Sequence, residues 1–243
     1  MNSVSIIIRT LNEKENLMHL LKFLDSQKFK GEKEIIVVDN ESTDGTLDVA
    51  KEAGAKVIVI KRDEFSYPKS MNMGVDAAKN PIVILTVGHA FPVNKNWISS
   101  AAKHFSDPKV AGVYSPVIPQ KKHSLSETIL YWPGYISAKI KSPFSVKKSG
   151  VGVFGATNIA LRRSVWEENK FDEGYEMGGE DTKWAKDILA KGYKIICDTD
   201  FTVIHSHNLN FRGVIQQIKY WNKLNKPTKF SKKEFDFRKD LKF

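Results

Sequence analysis

Only one cysteine, Cys197, occurs in 243 residues. It has no partner within the chain, so a disulfide framework is excluded and a reducing compartment is expected. Following Ile195-Ile196, it reads as a small buried hydrophobe. Long apolar runs are missing too: nowhere do about 18 apolar residues follow one another. The start, Met1-Asn2-Ser3-Val4-Ser5-Ile6, shows no basic leader followed by an apolar stretch. The expectation is a cytoplasmic protein, neither secreted nor membrane-spanning. Also absent are an internal repeat, a low-complexity tract, and any phosphate-cradling glycine loop of the P-loop or dinucleotide kind.

What is present is enough apolar content for a core, 41% hydrophobic against 27% charged residues. At this length, that suits one compact domain with appendages. The formal net charge of +10 favours phosphates, whether on a nucleotide, a nucleic acid or an anionic membrane. No nucleic-acid recognition module is recognisable, so a nucleic-acid partner is not expected.

From Val4 to Val113, short β-branched runs alternate with helix-period segments, the pattern of an α/β protein with a mostly parallel sheet and crossover helices. The strand candidates are Val4–Arg9, Glu34–Asp39, Lys56–Ile60, Ile82–Thr86 and Val110–Tyr114. Leu17, Leu20, Leu21 and Leu24 recur at helical spacing, with Asn12 and Glu15 placed as a capping box. Ser124 to Ser149 has no sustained period and contains Pro133 and Pro143, so it reads as an irregular or partly helical excursion. Helical spacing returns over Asp181–Lys191, before strand candidates at Tyr193–Cys197 and Phe201–His205. Beyond His207, Phe211, Val214, Ile215, Ile218 and Trp221 form an apolar stripe beside Lys219, Lys223 and Lys226. This is an amphipathic helix, which either packs on the domain or docks to a membrane surface or partner; a basic, phenylalanine-bearing tail follows.

In an open parallel sheet, ligands sit beyond the carboxyl ends of the strands. Those ends are polar here: Thr10-Leu11-Asn12-Glu13 after the first strand and Asp39-Asn40-Glu41-Ser42-Thr43-Asp44-Gly45-Thr46 after the second. A carboxylate there can accept hydrogen bonds from a base N–H or a ribose hydroxyl. The same residue types also cap helices and make turns. Together, Ser5-Ile6-Ile7-Ile8-Arg9-Thr10-Leu11-Asn12-Glu13 and Ile35-Ile36-Val37-Val38-Asp39-Asn40-Glu41-Ser42-Thr43-Asp44-Gly45-Thr46 resemble the two opening signatures of family 2 glycosyltransferases. That resemblance implies a GT-A fold, Rossmann-like, with Thr10, Asn12, Glu13, Asp39 and Ser42 around the base and ribose of a nucleotide diphosphate sugar. Lys69-Ser70-Met71-Asn72-Met73-Gly74 is similar to the family's Asn-x-Gly element, which makes Lys69 and Asn72 donor contacts.

The family's fourth strand leads to an Asp-x-Asp-like element holding a divalent cation against the diphosphate. Here the run is Ile84-Leu85-Thr86-Val87-Gly88-His89-Ala90-Phe91-Pro92, without a carboxylate and similar to rhamnosyltransferase-like members. Mg²⁺ prefers oxygen ligands, whereas imidazole suits Mn²⁺ or softer ions. His89 therefore either binds a metal or contacts the diphosphate directly. A histidine from the region of His205-Ser206-His207 approaches the metal or diphosphate in the family, making His205 a second metal candidate; two histidines one residue apart share a side only if the backbone is extended.

Later, Gly155-Ala156-Thr157-Asn158 resembles the segment near donor sugar and acceptor, where Thr157 and Asn158 offer hydrogen bonds to sugar hydroxyls. Gly178-Gly179-Glu180-Asp181 opens a helix containing Trp184 and Ala185. Displacing a nucleoside diphosphate from an anomeric carbon needs a base for the acceptor hydroxyl, and a carboxylate in a first helical turn is rigidly placed. By resemblance, Asp181 is the leading base, with Glu180 assisting acceptor binding or taking that role itself, and one-step attack implies inversion. The expected layout is a GT-A domain over 1–207, with a nucleotide-binding part over about 1–115 and an acceptor and base part over about 150–207, then helix and tail over 208–243. The expected activity is sugar transfer to a glycan or lipid-linked acceptor in surface polysaccharide or lipopolysaccharide synthesis. The alternative is a nucleotide-sugar-binding protein that keeps the fold without turnover.

Overall fold

The structure is a computed structural model that describes residues 3–120, 124–150, 152–176 and 178–224. The basic tail beyond 224 lies outside the described residues. In chain order the elements are β1 (Ser3–Thr10), α1 (Lys14–Asp25), β2 (Glu32–Asp39), α2 (Thr46–Glu52), β3 (Lys56–Val59), α3 (Tyr67–Asp76), β4 (Ile82–Val87), β5 (Phe91–Pro92) and α4 (Trp97–Ala102). They continue with β6 (Val110–Tyr114), α5 (Leu125–Lys141), β7 (Phe144–Ser145), β8 (Asn158–Arg162), α6 (Arg163–Glu167), α7 (Glu180–Ala190), β9 (Lys194–Cys197), β10 (Val203–Ile204) and α8 (Phe211–Leu224).

One sheet runs in the order β3-β2-β1-β4-β8-β6-β9-β7. The first four strands are mutually parallel; β8 enters antiparallel to both β4 and β6. Because successive side chains on a strand face opposite ways, the β-branched strands feed two apolar layers. Ile6 and Ile8 pack with Leu17, Leu20 and Leu24 of α1 and Trp97 of α4. Ile7 packs on the other side with Met71 of α3 and Trp184 of α7.

Two local expectations change. Asn12 does not cap α1: the helix starts at Lys14 without a side-chain cap of its own, and Asn12 sits in the left-handed region at φ 53°. Its first N–H groups are satisfied from across the sheet, Glu13 N donating to Thr46 Oγ1 (2.9 Å) and Lys14 N to Asp44 Oδ2 (3.0 Å). The excursion after Ser124 is, over 125–141, a helix of 17 residues whose Ser124 side chain accepts from Glu127 N. Pro133 removes one backbone donor, and it is tolerated on the exposed side of the helix.

β5 and β10 form a separate two-stranded ribbon with Ile204 opposite Phe91. This short pairing matters most for function. It brings the turn after β4, carrying His89, against the segment after β10, carrying His205 and His207.

Candidate functional site

A cleft of about 740 Å³ opens at the carboxyl ends of β1 and β4. Arg9, His89, His205, Thr157, Glu180 and Asp181 all contribute to its lining, while α5 and α8 form the opposite wall. The sheet therefore gathers in one space residues more than 170 positions apart.

Beside the cleft, the loops after β1 and β2 are stitched together. Thr10 Oγ1 donates to Asp39 Oδ2 (2.9 Å), and Ser42 donates to both Asp39 oxygens through its N–H (2.8 Å) and hydroxyl (2.5 Å). Asn12 N donates to Ser42 Oγ (2.7 Å), and Thr43 N donates to Asn12 Oδ1 (2.8 Å). Thr10, Asn12, Asp39 and Ser42 are thus one hydrogen-bonded group. Glu13 leaves that group. Its carboxylate meets His89 Nδ1 at 2.6 Å, with the other oxygen, Oε2, buried and unpartnered.

Facing His89, His205 places Nε2 at 3.0 Å from His89 Nε2, and the ligand atoms of His89, His205 and His207 lie within 4.8 Å of one another. The Glu13 carboxylate faces His89 Nδ1, and His89 Nε2 on the other side of the ring faces the cluster. Burial, and then the neighbouring imidazoles, hold His205 well below its ordinary pKa and His207 at about 4. Both are therefore neutral at pH 7, the form that ligates metals. His207 is fixed further by its backbone N–H, which donates to Glu127 Oε1 (3.0 Å). The donor set of three imidazoles, with a carboxylate behind one of them, fits a divalent transition ion that accepts nitrogen ligands. It does not fit Mg²⁺, which demands oxygens.

At the other side of the cleft, α7 begins at two glycines with φ of 119° and 98°, conformations that other residues adopt only with strain. Asp181 Oδ2 accepts from Ala156 N (2.9 Å) and Oδ1 from Thr182 N (2.6 Å). Burial raises its pKa against those two hydrogen bonds. Glu180 is more deeply buried, with Oε2 unpartnered; burial and then the charge of Asp181 push its pKa up to about 8. The turn holding Ala156 rests on Phe154, a non-glycine residue at φ 65° whose ring stacks on Trp184 with centroids 5.1 Å apart.

Three further residues expected at the ligand are held by partners within the protein. Asn72 donates to Phe171 O (2.9 Å) and Glu173 Oε1 (3.0 Å) and accepts from Phe171 N (3.2 Å), tying α3 to the 171–173 segment. Asn158 accepts from Trp97 Nε1 (3.1 Å) and donates to Phe201 O (2.5 Å) inside the core. Lys69 is paired with Glu64 at 3.0 Å. In each case the amide or ammonium has a structural partner, and like Thr10, Asn12, Glu13, Asp39 and Ser42 these three lie outside the cleft lining. Thr157 does line it.

Sequence reading passed over Arg9. It lies in the cleft with Nε buried and unpartnered, its guanidinium 5.3 Å from the centroid of the Tyr67 ring, and its charge is felt by Glu180, Asp181 and His205. The available signal was alternation: an arginine near the end of an otherwise apolar strand, on the opposite face from Thr10.

Comparison with known proteins gives a consistent result. The family model described as glycosyl transferase family 2 matches residues 5–169. The chain is 28% identical over 191 residues to the O-antigen chain rhamnosyltransferase WbaN of Salmonella anatum, covering 76% of this chain and 60% of that protein. It is 26% identical over 219 residues to the O-antigen chain rhamnosyltransferase RfbN of Salmonella typhimurium, covering 88% of this chain and 69% of that one. Among solved structures, the mannosyltransferase PcManGT of Pyrobaculum calidifontis, in complex with GDP-Man and Mn²⁺, superposes with a TM-score of 0.65 at 20% identity, covering 88% of this chain and 59% of that one.

Proposed function

The chain belongs to glycosyl transferase family 2 and has the GT-A fold, and from that premise we propose that it transfers a sugar, with inversion, from a nucleotide diphosphate sugar to a glycan or lipid-linked acceptor hydroxyl. The observation that carries this is the meeting of two chemistries in one cleft: three imidazoles and Arg9, and a pair of carboxylates at the start of α7. The relatives' names point to O-antigen synthesis, and a cytoplasmic site of action goes with that reading.

In this reading, Asp39, Thr10, Ser42 and Asn12 receive the nucleoside within the part spanning about 1–115. Thr157, Glu180 and Asp181 serve the acceptor within about 150–207, and α8 closes the cleft. Asp181 is the base. Its carboxylate is held at the cleft by two backbone N–H groups, whereas a pKa of about 8 leaves Glu180 mostly protonated at neutral pH and suited to donating a hydrogen bond to the acceptor. Asp181 takes the proton of the acceptor hydroxyl, and that oxygen bonds to the anomeric carbon from the face opposite the leaving group. The bond from the anomeric carbon to the phosphate oxygen breaks, and its electron pair leaves on the diphosphate. Arg9 supplies fixed positive charge towards that oxygen. His89, His205 and His207 would hold a divalent cation, which supplies further charge to the diphosphate when bound.

The test is a thermal-shift screen of nucleotide sugars with and without Mn²⁺ or Mg²⁺, followed by measurement of nucleoside diphosphate release. Stabilisation by one donor class, with Mn²⁺ more effective than Mg²⁺, is expected. Tight donor binding without release under any divalent ion would leave a binding protein of the same fold, and no stabilisation by any donor would remove the reading altogether.

A further inference from the structure

Large apolar side chains are left in solvent on two neighbouring helices at the mouth of the cleft. On α5, Leu125, Ile129, Ile136 and Ile140 are between 52% and 79% exposed, and their spacing of i, i+4, i+11 and i+15 keeps them on one side. On α8, Phe211, Ile215 and Ile218, at i, i+4 and i+7, are between 41% and 58% exposed. The helices pack on one another through Tyr131 and Trp221, whose ring centroids are 6.4 Å apart, and the Ser126 hydroxyl donates to Leu209 O (2.6 Å) in the segment just before α8.

The charges beside these stripes are of one sign. Arg212, Lys219 and Lys223, at i, i+7 and i+11, form a row next to the α8 stripe, and Lys139 borders that of α5. The only carboxylate on either helix, Glu127, is buried and holds His207 N. We propose that the outward faces of α5 and α8 dock on an anionic lipid bilayer, lying in its interface with the apolar stripes inserted and the basic row at the headgroups. A second copy of the chain is the poorer occupant, because it would bring like-charged rows together without a carboxylate between them. Both helices also line the cleft through Tyr131, Gly134, Gln217, Tyr220 and Trp221, so docking sets the cleft mouth at the membrane. A lipid-linked acceptor would then reach Asp181 without leaving the bilayer; this consequence, unlike the docking, rests on the proposed function.

The experiment is sedimentation of the full chain with phosphatidylcholine vesicles, with and without phosphatidylglycerol, in the absence of donor and acceptor. Binding to the anionic vesicles is expected, falling on the order of tenfold for each of Ile136→Asn, Ile140→Asn and Ile215→Asn. Lys219→Ala and Lys223→Ala each weaken it about fivefold, and added salt weakens it further. All five positions are exposed, so circular dichroism and melting temperature should be unchanged. Absence of binding to anionic vesicles overturns the proposal, as does wild-type binding by the isoleucine variants. So does a dimer in solution that these variants dissolve, since the face would then be a self-interface. None of these outcomes depends on whether the chain transfers sugar.

Discussion

Replacing Asp181 by Asn separates the base from the scaffold that holds it. The carboxylate accepts one N–H on each oxygen, from Ala156 at 2.9 Å and Thr182 at 2.6 Å. An amide has a single acceptor, so one of those N–H groups then faces an NH₂. A half-buried donor left without a partner costs about 1–3 kcal/mol. For a domain of this size each kcal/mol moves the melting temperature by about 2–4 °C; relief of the buried charge offsets the lost hydrogen bond, so Asp181→Asn should fold normally and melt within a few degrees of wild type. Loss of a general base should lower turnover by about 10²–10⁴-fold, or roughly 3–5 kcal/mol of barrier. Donor affinity should stay within about twofold, because the nucleoside group around Asp39 and the imidazole cluster are untouched. The assay is diphosphate release at saturating donor, with the donor dissociation constant measured separately. Turnover within tenfold of wild type in folded protein would refute the assignment, and so would a loss of turnover matched by an equal loss of donor binding.

Three further outcomes are expected. Glu180 has its pKa raised by burial to about 8, so between its ordinary value and 8 the folded state binds a proton that the unfolded state has lost, and stability must fall as pH rises through that window. Glu180→Gln removes the dependence and should melt higher than wild type at pH 8–9, the two converging near pH 4; a parallel pair of melting curves would contradict the burial argument. Asp198 behaves oppositely: burial tends to raise its pKa, but hydrogen bonds from His104 and Lys103 hold it at about 2. Its stabilisation is therefore full above the ordinary carboxylate range and lost as pH falls towards 2, and Asp198→Asn should lower the melting temperature at pH 7 while flattening the acid limb of the stability curve. Gly112→Ala would put a Cβ into the Phe154 ring, which is already stacked on Trp184, and displace the turn whose Ala156 N–H holds Asp181. We expect it to cost about 1–3 kcal/mol by overpacking and to lower kcat more than donor affinity, measured in the same release assay.

How far the sequence revealed these features depended on whether each was local. The parallel strands were readable because β-branched runs ending in polar residues are a one-dimensional signal, and β6 was placed at Val110–Tyr114 with both bounds correct. α5 was readable only as irregular or partly helical, because apolar residues on its exposed side blur the contrast between faces and Pro133 argues against a helix on its own. Asn12 was misread as a cap because the groups that satisfy the start of α1, Asp44 and Thr46, come from another loop. Asn72 and Asn158 illustrate a different limit: the intramolecular partners of a buried amide, Phe171 and Glu173 for one and Trp97 and Phe201 for the other, come from distant segments and leave no local signal. His89 and His205 were readable as candidates, but that His207 joins them in one cluster depends on the β5–β10 pairing, which is two residues long on each side and leaves almost no sequence signature.

The missing carboxylate after β4 takes a different meaning once Glu13 is placed. An aspartate at position 89 would set a second anion against the Glu13 carboxylate, in a site where both are partly withdrawn from water, and repulsion would drive them apart. Histidine turns that conflict into a hydrogen bond of 2.6 Å, and Gly88 makes room for it, since a Cβ there would overlap Glu13 Oε2. A negative charge is therefore still present, supplied by Glu13 from the loop after β1, where it faces an imidazole. Positions 13, 88 and 89 thus form one unit: changing His89 to a carboxylate without also neutralising Glu13 creates a clash of charge, and enlarging Gly88 breaks the pair from the other side. In the proposed reading, the departure from an acidic motif is a rearrangement of charge around the same point in the fold, with the neutral pair His205 and His207 standing where further anions would otherwise be needed.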